Sequence, residues 1–497
     1  MAERRLAVRP AMQLVGLDED GAREPDEVRS APERLRTGAD RTRTWAERRP
    51  AAAAIAALLV VTLTVVVGVG VPRWISQRER TAVLGAPAFE HAVHSLVAPP
   101  RERWTAAVDG SITPILVGDV VVAVAGTVGA DRRILGLDAV AGRELWSVPL
   151  GADPVPTTVL CRVAGADLVC VVGPAPPPPV RQDLTGGSGE AGHATLLVVD
   201  PVHGTVLAHH RIAGWVVSTA TQGADIVVAA VAFGLLTVRR LDPRTAEQRW
   251  QTQRFASASS TTNGRVRLVV AGGLVLATGI DITLVLDART GKRLPRATDA
   301  AGADETRLFE DGVLARTQYR LRDGVVRATS SVSDGNGTPW LTADGVLIEP
   351  DASDGTSGLV FTASGFGSRA SGGGVRAYRA SGGKPLWLVP SSATMVAVDA
   401  DGRVVLRGGG ALVGLDTRTG EQRWARDLGS TSGATFTDGR RLAVLHDTGD
   451  GSPTLVAVRL ADGSVAWEAP LPAGTSRFVR LGTQLYAVGD DAVVALR

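Results

Sequence analysis

Few residues in this chain are equipped for chemistry. Two cysteines and seven histidines occur among 497 residues. Cys161 and Cys170 stand in TTVLCRVAGADLVCVV, two apolar runs that meet at Gly165 and Ala166. A two-residue hairpin turn there, with glycine first as a type II′ turn prefers, sets the cysteines opposite each other. Counting outward from the hydrogen-bonded pair 164/167 puts 161/170 at a non-bonded position. Cα atoms at such a position approach to about 4.5 Å, within disulfide range. The spacing therefore predicts a disulfide, with two buried free thiols as the alternative.

The other candidates carry less. His91 with His94 and His209 with His210 are close pairs. The first pair sits in the linker that precedes the repeats, and adjacent strand residues such as the second point to opposite faces, so neither pair makes a metal site alone and solvated histidines are expected. GFGSRA at 365–370 matches a dinucleotide fingerprint in its letters, but it lies in a glycine-rich loop without the strand–turn–helix setting that gives the fingerprint its meaning. The run Asp447-Thr448-Gly449-Asp450-Gly451 lacks the full calcium-loop spacing and reads as a hairpin turn. No catalytic, metal-ligating or cofactor-binding residue is assigned.

Composition bounds the partners. A net charge of +2 provides no basic stripe for nucleic acid, nor the acidity of a solvating chain. Hydrophobic content of 44% suffices for a large core, and 58 glycines with 27 prolines suit a chain that turns often. Lys292 and Lys384 are the only lysines, so arginine carries the positive charge.

Residues 1–50 mix acids and arginines without apolar periodicity, and are expected to be a disordered, Arg-rich spacer. Residues 51–71, AAAAIAALLVVTLTVVVGVGV, contain no charge. At 1.5 Å per residue such a run spans roughly 31 Å, close to the hydrocarbon thickness of a bilayer. Trp45 and Trp74 flank it, where interfacial aromatics belong. A cleaved signal peptide would be shorter and nearer the start, so a transmembrane signal anchor over 51–72 is predicted. Arg34, Arg36, Arg41, Arg43, Arg48 and Arg49 precede the run, whereas Arg73, Arg78 and Arg80 follow it. That asymmetry places the N-terminus in the cytoplasm and residues beyond the anchor outside the membrane. Residues 73–100 are then a juxtamembrane linker, and 101–497 form the large domain.

That domain is built from a repeat. An Asp, a Gly four residues later and a Trp four beyond recur in LDAVAGRELW (Asp138, Gly142, Trp146), LDPRTAEQRW (Asp242, Trp250) and LDTRTGEQRW (Asp416, Gly420, Trp424). Weaker copies are VDPVHGTVLA, LDARTGKRLP (Asp287, Gly291), YRLRDGVVRA, YRASGGKPLW (Gly383, Trp387) and VRLADGSVAW (Gly463, Trp467). The anchors lie about 46 residues apart, the upper end of the period of WD40-like propeller blades. Each copy reads as a β-hairpin: the Asp carboxylate caps the turn amides, the Gly supplies a left-handed residue, and the Trp fills the wedge between blades. Two more short strands precede each copy, giving four strands per unit.

The pattern D-x-x-T-G-x-x-x-W at Asp416, Thr419, Gly420 and Trp424 resembles the tryptophan-docking motif of PQQ-like, quinoprotein-type β-propellers. The resemblance covers roughly residues 100–497 and implies an all-β propeller of about eight four-stranded blades. Quinoprotein dehydrogenases of this class hold PQQ between a tryptophan floor and a disulfide of adjacent cysteines, with calcium on Glu, Asn and Asp. This chain has no Cys-Cys pair and no residue matching that calcium set, so the resemblance implies the scaffold and no cofactor.

The chain ends suggest how the ring closes. RERWTAAVDG at 101–110 offers a Trp strand, with Trp104, that no blade precedes, and LYAVGDDAVVALR at 485–497 offers inner strands that no Trp strand follows. Pairing them completes one blade and removes exposed edges. With that composite there are nine candidate units, of which 304–330 is the thinnest. The expected role is a membrane-anchored, extracytoplasmic and non-enzymatic module that binds a protein, a peptide or an envelope component. The alternative is a small-ligand sensor or an enzyme that uses the propeller channel.

Overall fold

The computed structural model describes residues 92–497 apart from 127–130, 152–156, 175–191, 233–234, 256–265, 280–281, 295–304, 310–312, 323–324, 334–338, 354–356, 365–372, 380–381, 392, 394, 409 and 448–452. The tail, the anchor and residues 73–91 of the linker lie outside the described residues. Among the described residues no helix is long and apolar enough to cross a membrane.

The described chain is a nine-bladed β-propeller; seven sheets have four strands, one has three and one has five. Blade 1 runs Ile115–Val117, Val120–Ala125, Arg133–Asp138, Glu144–Pro149, and blade 2 runs Thr157–Ala164, Asp167–Pro174, His193–Val199, Val206–Ala213. Blade 3 is Trp215–Gln222, Asp225–Ala232, Leu235–Leu241, Gln248–Phe255; blade 4 is Arg267–Ala271, Leu274–Thr278, Thr283–Asp287. Blade 5 is Glu305–Leu308, Leu314–Arg322, Val325–Ser333, Pro339–Asp344; blade 6 is Val346–Ile348, Leu359–Ser364, Gly374–Arg379, Gly382–Pro390. Blade 7 is Met395–Ala400, Arg403–Gly408, Ala411–Asp416, Gln422–Asp427, with Pro350–Ser353 added in parallel to its first strand. Blade 8 is Ser430–Thr437, Arg441–Asp447, Pro453–Arg459, Val465–Pro470. Blade 9 is Thr475–Leu481, Gln484–Gly489, Ala492–Leu496 and, from the other end of the domain, Glu102–Ala107.

Two features of the sequence dictate this layering. Second strands such as VVVAVA (120–125) are buried along their whole length, because neighbouring blades cover both faces. Fourth strands alternate, as in ELWSVP, where Trp146 and Val148 point inward and the rest is exposed. The period-2 pattern therefore shows most clearly in fourth strands such as this one. Nine apolar clusters stand one at each seam, and each draws residues from two neighbouring sheets. The seam between blades 9 and 1 joins Trp104, Tyr486 and Val493 to Val121, Ala123 and Leu135, so the ring is closed.

Closure follows the expected pairing of the chain ends. Trp104 lies opposite Ala495 in the antiparallel ladder, and Arg101 and Arg497 exchange two backbone hydrogen bonds of 2.9 Å. The blade number differs from the expected eight or so. The thin unit at 304–330 belongs to a complete four-stranded sheet that extends to Asp344. Its YRLRDGVVRA segment is a different hairpin from the one its alignment suggests. Arg322 pairs with Val325, so the segment joins the second and third strands, whereas the copies in blades 1, 2, 3, 6, 7 and 8 join the third and fourth. Leu341 occupies the inward position that Trp146 takes in blade 1.

Cys161 and Cys170 are bonded, in the register that the Gly165-Ala166 turn sets, with Cα atoms 4.1 Å apart. Gly165 has φ 64°, which the first position of a type II′ turn needs. Both cysteines lie in the apolar seam between blades 1 and 2.

Candidate functional site

The repeat residues meet in the seams, and each Trp belongs to a different blade from the turn it docks on. The indole Nε1 of Trp146 in blade 1 donates to the Pro201 carbonyl of blade 2 at 2.8 Å. Trp250 donates to Ala288 (2.9 Å), Trp387 to Thr417 (2.8 Å) and Trp424 to Leu460 (3.0 Å). Trp104 donates to Ala139 at 3.1 Å across the closing seam. In every case the acceptor directly follows the anchor residue of the next blade's hairpin: Asp138, Asp200, Asp287, Asp416 or Arg459.

The hairpins are built to receive the ring. Gly142 donates its amide to the Asp138 carbonyl at 2.7 Å, and Asp138 donates to Arg143 O at 2.9 Å, which leaves a four-residue loop. Gly142, Gly204, Gly291, Gly420 and Gly463 all sit at φ between 68° and 71°. A β-carbon on Gly204, Gly291 or Gly420 would stand 2.6 Å from the docked indole, so these positions need glycine for space as well as for backbone angle. A β-carbon on Gly142 would likewise strike Trp104, and one on Gly463 would strike Trp424. Gly136 and Gly414, two residues before their anchors, are crowded by the indole of their own blade. The repeated L-G-L-D and V-G-L-D strings carry the signal for that second glycine.

Where blade 2 lacks the Trp, the turn glycine that would receive it is lost too. Blade 2 has Ala208 in the Trp register, opposite Val198. The next blade's turn then carries Ala246, held at φ 58° with no indole to accommodate. Gly383 also departs from expectation: it lies inside the strand Gly382–Pro390, where Arg379 of the third strand pairs with Gly382 at the turn of blade 6. Blade 5 supplies no Trp to that turn.

Blade 9 has no hairpin of this kind, since its third strand, Ala492–Leu496, pairs with Glu102–Ala107 from the other end of the domain. Residues 92–101 take its place. Trp467 donates Nε1 to the Leu96 carbonyl at 2.8 Å, and Leu96 N donates to Asp438 Oδ2 at 2.8 Å. Val93 N and His94 N donate to Thr437 O and Thr483 O, and Val93 and Leu96 are buried against Trp467 and Phe478. The last part of the expected linker is thus a strap packed on blades 8 and 9.

The anchor aspartates are capping groups. Asp138 Oδ1 accepts from Val140 N at 2.8 Å and Ala141 N at 2.7 Å, and these backbone donors hold its pKa below the usual carboxylate range. Asp416 is lowered to about 2, chiefly by the Arg423 guanidinium at 3.0 Å and then by the Thr419 and Arg418 amides. Backbone donation from Thr245 lowers Asp242, and the Thr290 hydroxyl lowers Asp287. A carboxyl depressed in the folded state stabilises the fold above its unfolded pKa, near 4, and loses that contribution as pH falls toward the folded value. Melting temperature should therefore drop between about pH 4 and pH 2. Asp416→Asn should have a lower melting point at neutral pH and a shallower acid decline; an equally steep decline would show that the turn carboxylates do not set it.

The PQQ chemistry of quinoprotein dehydrogenases does not fit this donor set. The one disulfide joins residues nine apart and is buried in a seam, not made of adjacent cysteines. Six tryptophans, Trp104, Trp146, Trp250, Trp387, Trp424 and Trp467, already have their Nε1 and one ring face engaged in docking. Among the described residues no group of three or more His, Cys, Asp or Glu side chains is placed to hold a metal.

This arrangement resembles that of PQQ-like propellers. Residues 371–497 match the family model described as outer membrane protein assembly factor BamB. No curated protein matches the chain. Similar solved structures include BamB from Moraxella catarrhalis, 14% identical over 80% of this chain and 100% of that one with a TM-score of 0.42. The quinohemoprotein alcohol dehydrogenase from Comamonas testosteroni is 13% identical over 84% of this chain and 79% of its own, with a TM-score of 0.41. Saccharomyces cerevisiae Sqt1 is 11% identical over 80% and 97%, also with a TM-score of 0.41.

Proposed function

We propose that the chain is a membrane-anchored, extracytoplasmic propeller that scaffolds a protein, peptide or cell-envelope component and does not turn over a substrate. The observation that carries this reading is the commitment of the repeat residues to the seams: the Trp, Asp and Gly positions hold blades together, which leaves outer strands and connecting loops as the surface for a partner. The match of residues 371–497 to a model described as an assembly factor supports the same reading. The uncharged run at 51–71, the arginine excess before it and a disulfide in the domain after it support anchoring with the propeller outside the cytoplasm.

Two experiments test the proposal. Protease added to intact spheroplasts should degrade the chain beyond residue 80 and spare the first 45 residues; a protected propeller would reverse the topology. Crosslinking of the full-length protein in its own membrane, followed by capture, should recover a specific envelope partner. Recovery of no partner, together with a thermal shift and dye-linked oxidation on adding PQQ and calcium, would replace the scaffold with an enzyme.

A further inference from the structure

The seam between blades 7 and 8 holds a cavity of about 220 Å³. Its lining includes four arginines, Arg403, Arg440, Arg441 and Arg459, against one carboxylate, Asp401. Arg403 pairs with Asp401 at 2.9 Å, and Arg441 with Asp438 at 3.0 Å. Asp438 is saturated, since it also accepts from the amides of Leu96, Arg440 and Arg441. Arg459 donates to the Ser464 hydroxyl at 2.8 Å and also interacts with the Asp462 carboxylate that this hydroxyl contacts, and among the described residues Arg440 has no ion pair. The Arg440 charge is thus left without a carboxylate, and the Arg459 charge has only the more distant Asp462. Arg441 and Arg459 also lie directly opposite each other in the ladder, a like-charge pairing that destabilises a sheet. The Nε of Arg441 is buried without a hydrogen-bond partner.

Arg459 makes the site. It occupies the anchor position where the copies in blades 1, 3, 4 and 7 carry Asp138, Asp242, Asp287 and Asp416. An aspartate here would cap its own turn and neutralise the cavity; the arginine does the reverse.

We propose that this cavity binds a phosphate group, carried by a soluble phosphate ester or by a phospholipid headgroup. Arginine forks match phosphate oxygens with paired, charge-assisted hydrogen bonds. A phosphate group brings about one negative charge near neutral pH as a diester and about −1.5 to −2 as a monoester, which pairs Arg440 and draws Arg459 from Asp462. The cavity lies below the roughly 300 Å³ at which pockets for drug-sized ligands begin, so it suits the phosphate itself with a short attachment.

The test uses the full chain in detergent, titrated calorimetrically with inorganic phosphate and with glycerol 3-phosphate at constant ionic strength. Binding should be saturable, and Arg440→Ala should weaken it about tenfold or more, the loss expected for one charge-assisted contact. Arg459→Asp should abolish it while leaving the melting point without ligand unchanged or higher, because the substitution restores the usual turn cap. The melting point shows whether that variant folds, so lost binding cannot be mistaken for a lost fold. Micelles doped with phosphatidylglycerol or with phosphatidylcholine assign the source: displacement of bound glycerol 3-phosphate by the lipid identifies a headgroup site, and no displacement identifies a soluble ester. No heat of binding to either phosphate probe, or equal binding by wild type and both variants, would overturn the proposal.

Discussion

Trp424→Ala is expected to destabilise the propeller by about 3–5 kcal/mol, the range for aromatic-to-alanine changes in a packed core. The indole is 8% exposed and spans the seam between blades 7 and 8, where it packs on Gly463 of the next blade and Gly414 of its own. Its removal leaves a hole bounded by glycines, which have no side chains with which to collapse into it. It also leaves the buried Leu460 carbonyl without its 3.0 Å donor, adding the penalty of an unmet hydrogen bond. Trp340→Ala is the control, because Trp340 is 40% exposed on the outer strand of blade 5. Its loss should change the denaturation midpoint little. Equal effects from the two substitutions would mean that the indoles contribute bulk hydrophobicity and no docking.

Removing residues 485–497 should have the second large effect, and it should not stay local. The deletion takes away the strand Ala492–Leu496 and nearly all of Gln484–Gly489. The strand Glu102–Ala107 then loses its only ladder partner, and the apolar clusters on both sides of blade 9 lose members together. In an open repeat array, terminal truncation costs roughly the units removed, because each repeat contacts only its neighbours. A closed ring shares its ends, so blades 8 and 1 should both acquire exposed edges. The truncated protein should lose cooperative unfolding and become protease-sensitive from residue 101 onward. An unchanged melting temperature would show that the ring does not close through these strands.

The sequence carried much of this fold because its strongest signals are also its strictest steric demands. A glycine at φ near 70° beneath an indole cannot be replaced, so Gly420 and Gly463 stand out in the chain. The hairpin of Cys161 and Cys170 was legible for a similar reason, since a two-residue turn fixes register. Blade number was less legible, because blade 5 keeps the strands and lacks the docking residues. Its seams are filled by Leu308, Leu314 and Leu341, which announce nothing beyond apolar character. The partner of each Trp was hidden altogether. Docking runs from one blade to the next, about 40 residues away, so a motif read within a single repeat pairs the Trp with the wrong turn. The strap at 92–101 was missed because its role is backbone acceptance by the Leu96 carbonyl, which leaves no mark on side-chain type. The phosphate cavity was visible only as a departure: Arg459 breaks the pattern at an anchor position, and its meaning depends on Arg440 and Arg441 being brought beside it.

The central claim is that a Trp and the turn glycine of the following blade act as one unit across the seam. A double-mutant cycle on Trp387→Ala and Gly420→Ala tests it most directly. The two residues are 33 positions apart in sequence, yet a β-carbon on Gly420 would lie 2.6 Å from the Trp387 ring. Gly420→Ala should be severely destabilising in the wild-type background, through both the clash and the positive φ. In the Trp387→Ala background only the backbone strain should remain, which Ala246 shows the fold tolerates where no indole is present. Chemical denaturation of the four proteins should therefore give a favourable coupling of about 1–3 kcal/mol. Penalties that add to within about 0.5 kcal/mol would contradict the account, because residues that add so closely do not share a contact.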